Sequence, residues 1–249
     1  MGISNDWQNI DEIYYLTVAG SKRDGRCWTE QSAQKVADAI GWETVKFPPG
    51  ITSITFGGAT QDATVITMIR PVDNDDPYNV GLFIGELFNS SGYGDTGPIF
   101  YEISTGNFVA SNDYFYNNPS FLLLRTSAQG CFALKDSSAR TIIFDKFFNP
   151  KSTKEKWGFI FNGSFIDLYT GLSISFSRIS YTNGANSGGY IALKKFTVIS
   201  NSGVYNALTL YRSYIDYSNT EKNIELDGKR YCGVIENGSY TPCYIPLAE

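Results

Sequence analysis

The residues that could do chemistry in this chain are four cysteines, Cys27, Cys131, Cys232 and Cys243, and a set of 25 Asp and Glu; there is no histidine. Without imidazole, Ser-His-Asp and Cys-His nucleophile activation, imidazole metal sites and histidine pH switches are excluded. The cysteines are too scattered for a zinc ribbon, and no Cys-x-x-Cys occurs. Asp73-Asn74-Asp75-Asp76 offers the alternating oxygen donors that Ca²⁺ takes. Counted as an EF-hand loop from Asp73, however, the glycine and closing glutamate positions hold Tyr78 and Ile84, so a solvated turn before Pro77 is expected. Glu86, Asp95, Glu102 and Asp113 lie in sequence near Tyr93, Tyr101, Tyr114, Phe115 and Tyr116. Sugar hydrolysis needs two carboxylates roughly 5–10 Å apart, with aromatic faces as platforms. The plainer reading is surface acids beside core and interface aromatics. The glycine-rich stretch 90–97 lacks the Lys-Ser/Thr that closes a phosphate loop. Asn89, Asn162 and Asn237 each begin a formal glycosylation sequon, but the last two coincide with expected tight turns. No catalytic, cofactor or metal set is assigned.

Those residues need a scaffold, and the pattern predicts a β-rich one. A single helix is expected near the N-terminus: Thr29 is the N-cap, Ala33, Val36, Ala37 and Ile40 recur at helical spacing, and Gly41 supplies the stop. Short apolar or alternating runs read as strands at 12–18, 51–56, 63–70, 81–88, 99–103, 121–125 and 141–144. The fold class expected is mainly β, an antiparallel sandwich or barrel-like arrangement of sheets with hairpins. Asn149-Pro150 followed by the charged run Lys151 to Lys156 marks a boundary between domains 1–148 and 149–249, the alternative being one β domain with a charged loop.

Turn chemistry sharpens the last hundred residues. Asn-Gly at 162–163 and 237–238 and Asp-Gly at 227–228 are the residue pairs of two-residue type I′ turns, where both central residues need φ > 0. A hairpin centred on 162–163 pairs Ile160 with Phe165, Phe159 with Ile166 and Trp157 with Leu168, all bulky and apolar. A turn at 227–228 pairs Glu225 with Arg230 and Ile224 with Tyr231. One at 237–238 pairs Ile235 with Tyr240 and Tyr231 with Tyr244, and sets Cys232 opposite Cys243, with Pro242 opposite Gly233. Opposed residues of an antiparallel pair lie about 4.5–5.5 Å apart at Cα, within disulfide range. The geometry therefore permits a Cys232–Cys243 bridge, and two reduced thiols packed as small hydrophobes fit it equally. Tyr231, Tyr240 and Tyr244 fall on one face of this meander, as core, as interface, or as ligand-contacting aromatics.

The meander from Ile224 to Ile245 resembles hairpins of bacteriophage virion proteins, the tail, fibre and head-attached subunits rich in aromatic, Asn/Gly-punctuated β-structure. That resemblance implies a structural subunit in the tail or in the head and collar, one that associates through aromatic β contacts with other virion proteins and with copies of itself. It also implies residence in the virion after synthesis in the host cytoplasm, consistent with the absence of a signal-peptide pattern in Met1-Gly2-Ile3-Ser4-Asn5-Asp6. Hydrophobic residues make up 42%, aromatics 15% and charged residues 18% of the 249, enough to bury a core. A pI near 4.9 argues against nucleic-acid binding, and no apolar run is long enough for a membrane span. Two other functions compete: a carbohydrate- or receptor-binding module contacting host-surface glycan, and a glycoside hydrolase. With no catalytic motif, an enzyme is not expected, and neither is a cofactor.

Overall fold

The computed structural model describes residues 13–17, 29–88, 90–91, 94–111, 120–125, 131–136, 141–161, 163–176, 193–213, 224–235 and 242–246. In chain order the elements are β1 (Ile13–Thr17), α1 (Glu30–Ile40), β2 (Trp42–Val45), β3 (Ser53–Phe56), β4 (Ala59–Asp62), β5 (Met68–Pro71), β6 (Val80–Phe88), β7 (Gly94–Glu102), β8 (Phe108–Ser111) and β9 (Ser120–Arg125). They continue with β10 (Phe132–Asp136), β11 (Thr141–Phe148), β12 (Lys156–Phe161), β13 (Ser164–Asp167), β14 (Ser173–Ser175), β15 (Leu193–Ser200), β16 (Gly203–Ser213), β17 (Ile224–Leu226), β18 (Lys229–Ile235) and β19 (Pro242–Pro246). The chain is mainly β, with antiparallel pairing throughout the described ladders and one short helix near the N-terminus.

The helix forms as its sequence requires. Thr29 Oγ1 accepts the Ser32 N–H at 3.1 Å, Gly41 adopts φ 69°, and its N–H closes on the carbonyls of Ala37 and Asp38. A left-handed residue at this position favours glycine. Ala33, Val36 and Ala37 turn inward and are buried.

Two sheets organise most of the fold. A five-stranded sheet runs β2-β5-β6-β7-β8, and a twelve-stranded sheet runs β1-β9-β10-β11-β16-β19-β18-β17, with β12-β13-β14 branching from β11 and β15 from β16. The larger sheet has two ends, so it is open and not a closed barrel. Its branching has a specific cause. One edge of β11 is occupied by β12 from Ile143 to Phe147. The other edge is shared: β10 takes residues 141–144 and β16 takes 147–148.

Alternate residues of β11 then serve two cores. Ile142 and Phe144 join Phe132, Phe159, Trp42 and Trp157 in a core between the large sheet, the five-stranded sheet and α1. There Phe100 stacks on Phe159 at 4.0 Å, and Trp42 meets Phe132, Phe144 and Trp157 edge to face. Ile143 and Phe147 face the other way, into a core with Phe165, Phe196, Val198 and Tyr205. Every described member of that second core comes from the large sheet or its flanks, so the sheet curls over its own concave side. At the expected boundary Phe148 is paired to Asn206 of β16, one residue past the end of the β12 pairing, and the first core draws on residues from 33 to 168.

Hairpin registers agree with turn chemistry in two places and depart from it in one. Ile160 faces Phe165, Phe159 faces Ile166, and Leu168 N–H bonds Trp157 O at 3.0 Å. Ile224 faces Tyr231 and Glu225 faces Arg230, with Asp227 at φ 53° and Gly228 at φ 73°, the type I′ signature. The third register is corrected. β18 and β19 pair Tyr231 with Pro246, Cys232 with Ile245, Gly233 with Tyr244, Val234 with Cys243 and Ile235 with Pro242, two residues away from the register expected for a turn at 237–238. Cys232 and Cys243 are therefore diagonal rather than opposed, and both are buried thiols. The reason is tertiary. β16 holds the far side of β19, with Tyr211 opposite Tyr244. Placing Gly233 on the near side leaves room for the Tyr244 ring, where the expected register would have crowded three tyrosines across three strands. Tyr231 instead meets Tyr211 edge to face at 5.6 Å.

Candidate functional site

Three of the acids singled out by sequence, Asp73, Asp76 and Glu102, are committed to local structure. Asp73 Oδ1 accepts the N–H groups of Asp75 and Asp76, making the acidic stretch a side-chain-capped turn. Two ammonium groups neutralise it: Lys154 Nζ lies 3.1 Å and Lys156 Nζ 3.0 Å from Asp73, and Lys156 also reaches Asp76 at 2.8 Å. Lys156 is only 1% exposed and lies over the rings of Tyr169 (4.3 Å) and Tyr78 (5.1 Å). Burial pulls its pKa down, but its hydrogen bonds to Asp76 and Asp73 outweigh that and leave it raised. The same Lys156 contact holds the Asp73 carboxyl down at about 2 and lowers Asp76. Burial pushes the Tyr78 phenol up to about 12, and its oxygen accepts the Trp157 N–H at 2.9 Å. Asp73, Asp76, Lys154, Lys156 and Tyr78 each bond another group of the cluster. The arrangement ties the loop after β5 to the start of β12, and the charged run at 151–156 thus docks on the fold.

Of the carboxylates considered for sugar hydrolysis, Glu86 and Glu102 stand well apart on one β-ribbon. Glu102 accepts the Thr105 hydroxyl at 2.7 Å within its own turn. In register Glu86 faces Thr96 and Glu102 faces Val80, six positions along the same ribbon, about 20 Å. Asp95 stands opposite Leu87. Tyr101 is fully buried beside Phe47 and Phe108. Asp113, Tyr93, Tyr114, Phe115 and Tyr116 lie outside the described residues, as does Tyr240. Tyr231 and Tyr244 are buried in the sheet and present no open ring. Among the described residues no group of three or more Asp, Glu or Cys is placed to hold a metal ion.

One buried acid, missed by sequence, organises the fork of the large sheet. Between Thr197↔Asn206 and Lys195↔Tyr211 the register of β15 on β16 shifts, so Ala207 to Leu210 bulge against the single residue Phe196. A bulge strands backbone groups that a ladder would pair. Asp145, fully buried on β11, accepts the N–H groups of Thr209 (2.8 Å) and Leu210 (2.7 Å) together with the Thr209 hydroxyl (2.8 Å) and the Lys146 N–H. Lys195 Nζ donates to the Leu208 carbonyl on the other side. Burial raises the Asp145 pKa, and the donors from Leu210 and Thr209 oppose that rise. Asp145 is a backbone-satisfying group at the fork, and its position explains why the fork holds.

Beyond that fork the outer face of the large sheet remains apolar where nothing among the described residues covers it. Phe148 is 50%, Ile199 75%, Val204 44% and Leu208 42% exposed. They are contiguous: Phe148 faces Asn206 across β11 and β16, Val204 faces Ile199 across β16 and β15, and Val204 and Leu208 flank Asn206 on its own strand. At the centre the Thr197 hydroxyl bonds Asn206 Oδ1 at 2.9 Å. Exposed apolar side chains gathered in this way mark interaction surfaces, whereas scattered single ones do not. Sequence reading missed the patch because Val204-Tyr205-Asn206-Ala207-Leu208-Thr209-Leu210 carries bulky residues on both faces, and its bulge breaks the alternation. Comparison with protein-family models, curated proteins and solved structures gave no match to this chain.

Proposed function

We propose that this chain is a structural subunit of a phage particle that works by association, and that its partner on the apolar end of the twelve-stranded sheet is a second copy of itself. The observation that carries the proposal is the patch of Phe148, Ile199, Val204 and Leu208, which continues the same strand face that is sealed as core a few residues earlier on β11. Charge supports another copy as the occupant. Lys146 and Lys195 stand two residues from Phe148 and Thr197 on their strands, while the whole chain has a formal charge of −5, so its remaining surface is more acidic than the patch rim. A contact between this patch and a different, acidic face of the next copy is heterologous, and heterologous contacts build rings or filaments. The aromatic, Asn/Gly-punctuated meander that resembles virion proteins supports the same reading.

Native mass spectrometry of the full chain tests it. A defined oligomer is expected, reverting to monomer in an Ile199→Lys, Val204→Lys variant whose circular dichroism is unchanged. A wild-type chain that stays monomeric at the highest soluble concentration overturns the proposal.

A further inference from the structure

The C-terminal hairpin carries the signals of two registers. In the observed one Cys232 faces Ile245 and Cys243 faces Val234, and residues 236–241 connect the strands. The sequence Asn237-Gly238, by contrast, is the two-residue turn pair of a register shifted by two, in which Cys232 faces Cys243. A shift of two keeps every side chain on its own face, because strands alternate with period two. Cys232 and Cys243 already share one buried cluster with Ile245. A slip of that kind would be confined to one unit. β19 is held by β16 through Tyr211↔Tyr244 and Arg212↔Cys243, while β17 and β18 form the end hairpin of the sheet.

We propose that Cys232 and Cys243 are a redox pair whose bridge locks β18 two residues along β19, in the register that makes Asn237-Gly238 the turn. Diagonal residues lie about 7–8 Å apart at Cα, beyond the usual disulfide span, and opposed ones about 4.5–5.5 Å, so the bond and the slip go together. The oxidant is a small-molecule disulfide such as oxidised glutathione. One cysteine thiolate attacks it and releases one glutathione thiol; the second cysteine thiolate attacks the mixed disulfide and releases another. One protein S–S bond forms, one glutathione S–S bond breaks, and the two cysteine protons end on the two glutathione thiols. In the reduced chain Gly233 opposite Tyr244 favours the observed register; in the oxidised chain Tyr231 comes to face Tyr244.

The full chain is incubated with oxidised glutathione without denaturant, then analysed by intact mass, by peptide mapping and by inter-strand Hα–Hα contacts in NMR. The expected result is loss of the mass of two hydrogens, a cross-linked peptide pair containing Cys232 and Cys243, and a new Cys232–Cys243 Hα contact. A Cys131→Ser variant should behave identically, and Cys243→Ser should not bridge. A bridge to Cys131 or Cys27, bridging seen only in denaturant, or a 232–243 bridge with the Cys232–Ile245 pairing intact would each overturn the proposal.

Discussion

Phe144 and Phe148 lie on the same face of one strand, four residues apart, and meet opposite fates. Phe144 is sealed by Phe132, Trp42 and Phe159, whereas half of Phe148 is open. Both belong to one antiparallel strand of one sheet, so intrinsic propensity does not separate them. The difference is what lies on top. Phe144 packs in the core that the large sheet shares with the five-stranded sheet and α1, and beyond Asp145 the strand exchanges β10 for β16, whose outer face carries the exposed Val204 and Leu208. The apolar face of β11 continues past its cover, which is the physical basis for proposing a partner there.

The strongest way to break this comparison is to remove the group between its two halves. Asp145→Ala leaves the Thr209 and Leu210 N–H groups buried without an acceptor and should cost about 3 kcal/mol or more, read as a lower urea midpoint. It should also disturb the patch, since the bulge that shapes β16 loses its anchor. Phe144→Ala should cost about 3–5 kcal/mol, while Phe148→Ala should cost well under that in the monomer and shift the association constant instead. Equal destabilisation by the two would refute the difference in their cover. Gly158→Ala is next, at about 1–3 kcal/mol, because a Cβ there would stand 2.5 Å from the Phe165 ring and 3.0 Å from the Ile166 carbonyl. It perturbs the two cores together, so it should not separate stability from association.

The pH response is smaller and tests the acids on either side. Asp73, with its pKa lowered to about 2, contributes stability above 3.8, the unfolded value, and that contribution is lost as pH falls from 3.8 towards 2. Asp145 acts with the opposite sign. Its folded pKa is raised, so the folded chain keeps that proton longer than the unfolded one, and the stability it contributes when protonated is lost as pH rises above 3.8. Asp73→Asn should therefore flatten the acid-side fall of Tm, and a profile unchanged from wild type would show that the Lys156 contact contributes nothing to stability.

How much of the fold is readable in the sequence depends on whether the deciding contact is local. Thr29, Gly41 and the turns at 162–163 and 227–228 act within a few residues, and the helix and two hairpin registers are set by them. The register of β18 on β19 is set by Tyr211 on a third strand, which no hairpin rule contains. The acidic stretch at 73–76 is legible as a turn, but its cations come from Lys154 and Lys156, eighty residues on. Asp145 and the Phe148 patch are invisible in sequence because a bulge in β16, created by pairing across the sheet, gives both their meaning.

Hydrogen–deuterium exchange at low and high protein concentration tests the association face most directly, because it reads both halves of the sheet in one experiment. Peptides covering 196–208 should gain protection as concentration rises, while those covering 132–144 should stay equally protected throughout. No concentration dependence over 196–208, or new protection elsewhere only, would contradict the assignment of that face to a second copy.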